Sequence, residues 1–431
     1  MSKHLIVMSV DAMVFEDLAT LRTLPNFKRL IENGSRVDKV RSIYPTLTHP
    51  IHVAIMTGCY PGKTGVPNND RFIPGDLNSP WYNRLDEVQV PTLFHAAKAA
   101  GLTTAACRWP VTACGEDVID YIVPEVMDLD LDENDLEGTY RKLGSGPIME
   151  QIVKPNLWRL KGNAHPQSEN FSIACAADII RRYKPNLLMT HPCMVDSTRH
   201  GTGLFNEHVT HALALTDGWL GQLMDAVRAA GIEETTDFVV LSDHGHLEIT
   251  RAVCPNVFLA DEGLIRTDAA GNLTDWDAYV KSCALSAQVY LKDPSDAALH
   301  DRVYALLERM ADEGIYGFSQ VLTAQQADAR YHLSGDFSFV LETDGFTSFS
   351  DDWRRPAVRP LDTSDYRYGH STHGHMPEKG PQPPLLCMGP SFRQGVVLDT
   401  VPIVDEGATF AKVLGLTLSQ ADGKPIDALL K

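Results

Sequence analysis

The sequence lacks the features that would place it among disulfide-rich, membrane-spanning or nucleic-acid-binding proteins. Its eight cysteines form no Cys-x-x-Cys pair, and no apolar run approaches the ~20 residues of a membrane span. Isolated cysteines are typical of reduced, mostly buried thiols, so we expect a cytoplasmic protein. The net charge of −18 includes no basic block, which argues against a nucleic-acid polymer as partner.

The beginning of the sequence shows no pattern of a secretion signal. Residues 5–10 form an apolar run that is too short for such a signal and is followed by no small-residue cleavage site. We interpret this run as the first strand of a buried sheet. The interpretation again favours the cytoplasm, and it gives no reason to expect a membrane partner.

Strand and helix patterns alternate along most of the chain and predict an α/β fold with a mostly parallel sheet flanked by helices on both faces. The predicted strands are 5–10, 37–43, 103–106, 186–190, 238–241 and 385–388, and the predicted helices are 25–33, 50–57, 92–100, 171–183, 207–230 and 406–414. The rhythm breaks after His246. We therefore assign residues 1–248 and 360–431 to the core and residues 249–359 to an inserted α+β cap domain.

Acidic and histidine side chains follow several predicted strands, where ligands of open α/β sheets bind. Asp11 follows the first strand, and Asp243 and His244 follow strand 238–241. Asp196 and His200 are four residues apart, which places both side chains on one face of a helical turn and suits a shared metal ion. Each motif alone also fits a helix cap or a surface pair. Their joint appearance at strand ends favours a two-metal site.

Thr48 is the candidate nucleophile because it stands just before the predicted helix 50–57. A helix N-terminus offers backbone N–H groups and a positive dipole end to a phosphate. Metal coordination is one way to activate a threonine hydroxyl, which is otherwise a poor nucleophile. A plain N-cap role for Thr48 is compatible with this reading.

Two segments carry a resemblance to a known family: residues 44–58, YPTLTHPIHVAIMTG, and residues 60–69, YPGKTGVPNN. Together with the order of the acidic and histidine motifs and the ending ADGKPI at 421–426, they resemble the alkaline phosphatase superfamily. Within it, the sequence most resembles the nucleotide pyrophosphatase/phosphodiesterase family. The resemblance covers most of the chain outside the insertion and implies an alkaline-phosphatase-like fold.

The resemblance also implies a set of roles. One divalent ion, expected to be zinc, would be held by Asp196, His200 and His373. A second would be held by Asp11, Asp243 and His244 and would contact the Thr48 oxygen. Asn69 would bind a non-bridging phosphate oxygen. The implied activity is that of a phosphodiesterase or nucleotide pyrophosphatase, which would hydrolyse a small anionic phosphate ester through a phosphothreonine on Thr48.

Some positions depart from the family pattern. His49 stands where the family often has a phenylalanine that stacks on a nucleobase, which weakens the expectation of a nucleotide substrate. His49 and Trp109 are still candidates for substrate binding, and Trp81 and Tyr82 are pocket candidates; core packing is the alternative for the three aromatic residues. His246, His370 and His375 are candidates for orienting the ligands.

Other functions stay open at this point. Phosphonoacetate hydrolases share the metal skeleton but use lysines for the substrate carboxylate, whereas residues 107–117 contain Arg108 and no lysine. A phosphomonoesterase of the same superfamily is a second alternative. A non-catalytic binding protein on this fold is a third, although the full ligand set argues against it. A sulfatase is disfavoured, because no Cys/Ser-x-Pro-x-Arg segment is present.

Overall fold

The computed structural model describes residues 4–127, 130–365, 367 and 369–431. The strands in these residues are β1 (His4–Ser9), β2 (Ser35–Arg41), β3 (Thr104–Cys107), β4 (Tyr121–Val123), β5 (Leu187–Thr190), β6 (Thr236–Leu241), β7 (Leu247–Glu248), β8 (Arg251–Val253), β9 (Ile265–Thr267), β10 (Leu273–Trp276), β11 (Ala278–Cys283), β12 (Ser286–Leu291), β13 (Phe318–Thr323), β14 (Phe339–Thr343), β15 (Thr347–Phe349), β16 (Val358–Arg359), β17 (Ser371–Thr372), β18 (Leu385–Met388) and β19 (Val397–Pro402).

Helices connect these strands and cover the sheets. They are α1 (Leu18–Leu21), α2 (Pro25–Asn33), α3 (Thr48–Thr57), α4 (Pro61–Thr64), α5 (Leu93–Ala99), α6 (Leu136–Leu143), α7 (Gly146–Ile148), α8 (Lys154–Asn156), α9 (Gln167–Tyr183), α10 (Met194–Thr202), α11 (Glu207–Ala229), α12 (Pro255–Asp261), α13 (Ala297–Glu313), α14 (Ala324–Tyr331) and α15 (Val404–Val413). In the part of the chain that the structure describes, none of these helices is both long and apolar enough to cross a membrane.

The largest sheet has the strand order β19-β2-β18-β6-β1-β5-β3-β4. Strands β6, β1, β5, β3 and β4 run parallel to one another, and β18 is antiparallel to both of its neighbours. The structure confirms the predicted mostly parallel sheet. Because the five parallel strands share one direction, their carboxyl ends meet at one edge, where side chains that follow the strands come together.

Apolar side chains on both faces of this sheet explain why its strands are continuous hydrophobic runs. Leu5 and Val7 of β1 pack into a core that includes residues of α3 and α15, whereas Ile6 and Met8 pack into a core with α9 and α11. Adjacent strand residues point to opposite faces, so a run that is apolar at every position requires helices on both sides. This arrangement fulfils the prediction of helices on both faces.

A smaller antiparallel sheet has the order β11-β12-β14-β13 and comes entirely from the part of the chain that follows β6. The buried Lys281 of β11 joins it to the core through an ion pair with Asp70 (2.5 Å), and it also pairs with Asp351 (2.8 Å), which lies in the same part of the chain as the small sheet. The assignment of 249–359 to a separate cap domain stays a prediction. Strands β11 and β13 were not predicted from the sequence, and neither was the short edge strand β4.

Glu342 of β14 forms a second contact between the smaller sheet and the rest of the chain, and this contact should make the stability depend on pH. Its carboxylate accepts a hydrogen bond from Tyr44 Oη (3.0 Å) and pairs with Lys379 Nζ (2.7 Å). Burial outweighs the Lys379 charge and raises the pKa of Glu342 from 4.5 to about 7. The folded state therefore keeps this proton at pH values where the unfolded chain has lost it. We expect the free energy of unfolding to fall by about 3 kcal/mol as pH rises from 4.5 to 7.

Urea denaturation at pH 5 and pH 8 measures this difference. A Glu342→Gln variant should lose most of the decline, because the amide does not titrate. Glu378→Gln, which removes a half-exposed carboxylate near Arg41, is the matched control and should behave like the unaltered protein. An equal decline in the Glu342→Gln variant would show that another group is responsible.

Candidate functional site

The predicted ligands gather at the carboxyl edge of the parallel strands. Asp11 follows β1, Asp243 and His244 follow β6, and His373 follows β17, while Asp196 and His200 lie one turn apart on α10. A cavity of about 370 Å³ opens at this edge. Of the residues predicted from the sequence, the following line it: Asp11, Thr48, His49, Asn69, Trp81, Asp196, His200 and His373.

Asp11, Asp243 and His244 form the first cluster, with ligand atoms that all lie within 4.8 Å of one another. His244 Nε2 is 3.5 Å from Asp11 Oδ1 and 3.3 Å from Asp243 Oδ2. The backbone N–H groups of Ala12 and His244 donate to Asp243 Oδ1 at 3.1 and 3.0 Å, which fixes this carboxylate. Asp11 Oδ1 and Asp243 Oδ2 are buried and have no hydrogen-bond partner among the described residues. Both oxygens face the point that a shared cation would occupy.

The electrostatics of this cluster also fit a cation. Burial, followed by the charges of Asp196 and Asp243, raises the pKa of Asp11 well above its usual value. Burial likewise raises the pKa of Asp243. Crowded carboxylates in an apolar environment are costly unless a positive charge compensates them. Oxygen and imidazole nitrogen are ligands that suit a divalent ion such as zinc. The cluster of Asp and His side chains could therefore hold metal ions.

Asp196 is the centre of the second cluster. Its Oδ1 atom is 3.2 Å from His200 Nε2 and 3.7 Å from His373 Nε2, so the structure brings together the three residues predicted for one ion. His246 Nε2 is closer still, at 2.7 Å, and its Nδ1 is 3.0 Å from Ser371 Oγ. Asp196, His244, His246 and His373 have ligand atoms within 4.8 Å of one another. The two clusters adjoin, because the rings of His244 and His373 stack with centroids 3.8 Å apart.

The three histidines considered for orienting roles have different surroundings. His246 contacts Asp196 directly, as described above. His375 lies between Thr46 Oγ1 (2.9 Å) and the Lys379 carbonyl (3.0 Å), so it stabilises the loop after His373 rather than touching a ligand. His370 is exposed at the surface.

Thr48 is the first residue of α3, and its N-cap is Leu47. The N-cap reading of Thr48 is therefore not observed. Its Oγ1 atom is 3.2 Å from His244 Nε2, which connects it to the first cluster. His52, one turn later, holds the Thr48 carbonyl through Nδ1 (2.7 Å) and contacts Ser9 Oγ through Nε2 (2.8 Å). The first turn of α3 is thus anchored to the end of β1.

Asn69 lies beside this helix start, and its binding of a phosphate oxygen stays a prediction. Its Oδ1 accepts a hydrogen bond from the His49 backbone N–H at 2.9 Å, which fixes the orientation of the side-chain amide. Asn69 N donates to Asn68 Oδ1, and Asn68 Nδ2 donates to the Ser282 carbonyl of β11. The smaller sheet therefore supports the loop that carries Asn69.

The aromatic candidates divide between the cavity and the core. The His49 ring is buried and meets Trp81 edge-on, with centroids 4.9 Å apart and planes at 66°. Trp109 is fully buried and packs against His52 in the core, so the structure does not place it in the cavity as a substrate-binding residue. The reason is its position after β3, where the indole fills the space beneath α3. Tyr82 lines a different cavity of about 1040 Å³, which contains none of the predicted ligands.

Three buried polar residues of the cavity were not assigned a role from the sequence. His191 Nε2 is 3.1 Å from Asp11 Oδ2, and its Nδ1 is 3.7 Å from Glu125 Oε1. Arg108 and Glu125 line the same cavity. His191 and Arg108 directly follow β5 and β3, so the strand-end rule that identified Asp11 would have found them too. Glu125 follows β4, which is too short for a pattern of its own.

Comparison with known proteins decides the family. The profile of the type I phosphodiesterase/nucleotide pyrophosphatase family matches residues 5–375. The chain belongs to this family. The chain is 28% identical to human ectonucleotide pyrophosphatase/phosphodiesterase family member 1 over 229 residues, 52% of this chain and 21% of the relative. It is 24% identical to venom phosphodiesterase 2 of Crotalus adamanteus over 53% of this chain and 25% of that protein. The match thus spans about a quarter of the relatives' length.

Solved structures show the same fold along the whole chain. An inactive variant of murine ectonucleotide pyrophosphatase/phosphodiesterase 5 in complex with AMP superposes with a TM-score of 0.67 at 18% identity, covering 100% of both chains. The human protein 5 gives a TM-score of 0.68 at 16% identity, covering 99% of this chain and 100% of the other. The family and the fold inferred from the sequence are both confirmed.

Proposed function

We propose that this protein is a metal-dependent phosphohydrolase that cleaves phosphate diesters or nucleotide pyrophosphate bonds with Thr48 as nucleophile. The observation that carries the proposal is the position of Thr48 Oγ1. It lies at the start of α3, 3.2 Å from His244 Nε2, in the cavity that also exposes the carboxylate of Asp11. A hydroxyl beside a cluster of ligands, at a helix N-terminus, is suited to attack a phosphorus atom.

We assign the ligands as the resemblance implied. Asp196, His200 and His373 would hold one zinc ion, and Asp11, Asp243 and His244 the other, next to Thr48 Oγ1. When bound, two such cations supply Lewis acidity that lowers the pKa of the hydroxyl and stabilises charge on the entering and leaving oxygens. The buried oxygens of Asp11 and Asp243 that lack a hydrogen-bond partner among the described residues support this assignment.

The protein groups would act in two displacements. Thr48 Oγ1 loses its proton to solvent and forms a bond to phosphorus, while the bond to the leaving alcohol or phosphate oxygen breaks. The leaving oxygen keeps the bonding electrons and takes up a proton from solvent, and Thr48 becomes a phosphothreonine. Water then loses a proton and forms a bond to phosphorus, the bond to Thr48 Oγ1 breaks, and Oγ1 takes up a proton so that the hydroxyl is restored. The amide N–H groups of Asn69 and the first N–H groups of α3 would donate to a non-bridging phosphate oxygen. His52 keeps the helix start in place throughout.

The setting of the reaction is part of the proposal. We infer a small anionic ester as the substrate. We also infer a cytoplasmic location, because all eight cysteines are free thiols. Residues 249–359 would act as the cap that shapes the substrate site, since Lys281 and Ser282 of β11 support the Asn68–Asp70 loop.

The test compares zinc-loaded protein on three p-nitrophenyl substrates: bis-p-nitrophenyl phosphate, p-nitrophenyl phosphate and p-nitrophenyl thymidine monophosphate. We expect kcat/KM for the two diesters to exceed that for the monoester by about tenfold or more. A higher value for the monoester would assign the protein to the monoesterase branch. An equal value for both diesters would remove the nucleotide from the proposal. Absence of turnover in protein that binds two zinc ions would refute the hydrolase function.

A further inference from the structure

The cavity extends well beyond the metal ligands along the edge of the sheet. Asp11 follows β1, His191 follows β5, Arg108 follows β3, and Glu125 lies just after β4. Because the strand order is β1-β5-β3-β4, these side chains form a row in the same order. One imidazole, that of His191, separates Asp11 from Glu125. Arg108 and Glu125 therefore line the part of the cavity that lies beyond His191 from Asp11.

The side chain of Arg108 is buried but makes no hydrogen bond to a described residue. It is only 6% exposed, and its closest carboxylate oxygen, Glu125 Oε1, is 3.9 Å from Nη2, beyond hydrogen-bond distance. Its guanidinium donates no hydrogen bond to a residue that the structure describes. The backbone at Arg108 has φ +54°, and its N–H is held by the Val123 carbonyl at 2.7 Å. A non-glycine residue in this left-handed region costs of order 1 kcal/mol and is typical of functional sites.

Glu125 is the acceptor beside this donor. It is 7% exposed, and its Oε2 atom has no hydrogen-bond partner among the described residues. Burial alone would raise the pKa of Glu125, but His191, His49 and Arg108 together outweigh burial and lower it. The side chain is thus an ionised acceptor. Glu125 Oε2 lies 3.4 Å from His49 Nε2, but neither this oxygen nor the Arg108 guanidinium makes a hydrogen bond to a described residue. A buried donor and a buried acceptor without hydrogen bonds are costly unless a ligand supplies them.

The pairing of the two side chains restricts the chemistry of that ligand. An anionic group on Arg108 would also face the Glu125 carboxylate, and an ammonium on Glu125 would face the guanidinium. Neighbouring hydroxyl groups donate and accept, and they match both. Ser197 and Ser364 line the same cavity. The His49 and Trp81 rings meet edge-on, so they do not form two parallel faces between which an aromatic base could stack.

We propose that Arg108 and Glu125 bind neighbouring hydroxyl groups on the ester alcohol that is not displaced. The preferred substrates would then be phosphodiesters of a polyol such as glycerol or a sugar. This inference rests on the proposed function, because it takes the reacting phosphate to lie beside Thr48. It adds a class of substrate that the metal ligands and the nucleophile do not specify.

The test uses two diesters with the same leaving group and charge: glyceryl p-nitrophenyl phosphate and propyl p-nitrophenyl phosphate. We expect kcat/KM of the zinc-loaded protein to be about tenfold higher for the glyceryl ester, because hydrogen bonds to charged groups are made only by its hydroxyls. Glu125→Gln and Arg108→Met should each bring this ratio below about three. Glu116→Gln and Arg84→Met remove exposed charges of the neighbouring segments and should leave the ratio unchanged.

Thermal melts show whether the Arg108→Met protein folds. If it does not fold, the test rests on the isosteric Glu125→Gln variant. Calorimetric binding of glycerol 3-phosphate and propyl phosphate to zinc-loaded Thr48→Ala protein separates this proposal from the proposed function. If the protein prefers glycerol 3-phosphate and Glu125→Gln abolishes this preference, the hydroxyl site is supported even when neither ester is hydrolysed. The absence of hydrolysis would then refute only the hydrolase function. Equal affinity for the two phosphates, or equal kcat/KM for the two esters, overturns the proposal.

Discussion

A Thr48→Ala variant should lose diester hydrolysis by at least about 10³-fold in kcat while it still binds two zinc ions. The hydroxyl is the atom that would form the covalent bond to phosphorus, so its removal abolishes the first displacement instead of weakening it. The fold should tolerate the change, because Thr48 makes no side-chain capping bond and its neighbour Leu47 is the N-cap. Stopped assays with bis-p-nitrophenyl phosphate and metal analysis of the same sample measure both quantities.

The matched control is Thr57→Ala, at the other end of the same helix. Thr57 Oγ1 donates to the Val53 carbonyl at 2.7 Å and is fully buried, so this change removes the same atoms from α3 without altering the cavity. We expect kcat of the control to stay within about threefold of the unaltered protein. If Thr48→Ala keeps more than a tenth of the activity, water attacks phosphorus directly and Thr48 is not the nucleophile.

The parts of the fold that could be predicted from the sequence are those with strong local patterns. The four central residues of strand β1, 5–8, are all apolar because both faces of the strand are covered. Helix α2 is bounded by Pro25 and Gly34, and it was predicted to the residue. Strand β4 has three residues and β19 is a largely exposed edge strand, so neither has an apolar pattern that local reasoning detects. The pairing of β19 with β2 joins segments near opposite ends of the chain, whereas β4 pairs with the nearby β3.

The same contrast holds within the cavity. Asp11 and Asp243 could be predicted because each follows a recognisable strand, and the structure brings their carboxylates together. The ring of His246 reaches Asp196 because Gly245 follows His244 and packs against the Pro381 carbonyl, where a Cβ would lie only 2.2 Å away. Such a close approach is set by tertiary packing, as is the burial of Trp109. Sequence patterns identify the residues at a sheet edge, but they do not show which of these side chains point into the cavity.

Asp11→Asn should change the free energy of unfolding in opposite directions in the absence and in the presence of zinc. In chelated protein at pH 8, an Asp11→Asn variant should be more stable than the unaltered protein by about 2 kcal/mol, because one of the crowded carboxylates of Asp11, Asp196 and Asp243 becomes neutral. With zinc the order should reverse. Saturation at a thousandfold excess over Kd stabilises the unaltered protein by about 4 kcal/mol per ion, and the variant has lost a ligand. Urea denaturation with EDTA or with zinc measures the four free energies of unfolding.

Asp17→Asn separates this metal effect from the general cost of altering a buried aspartate. Asp17 accepts hydrogen bonds from Arg199 Nη2 at 2.6 and 2.8 Å and contacts no member of the two clusters in the described residues. Its replacement leaves a buried guanidinium without its charge partner, so we expect a loss of about 3 kcal/mol with and without zinc. A lower stability of Asp11→Asn in EDTA would show that protein groups alone satisfy the Asp11 carboxylate. The crowding of Asp11 with Asp243 would then not require a cation, and the assignment of the first cluster as a metal site would lose its electrostatic support.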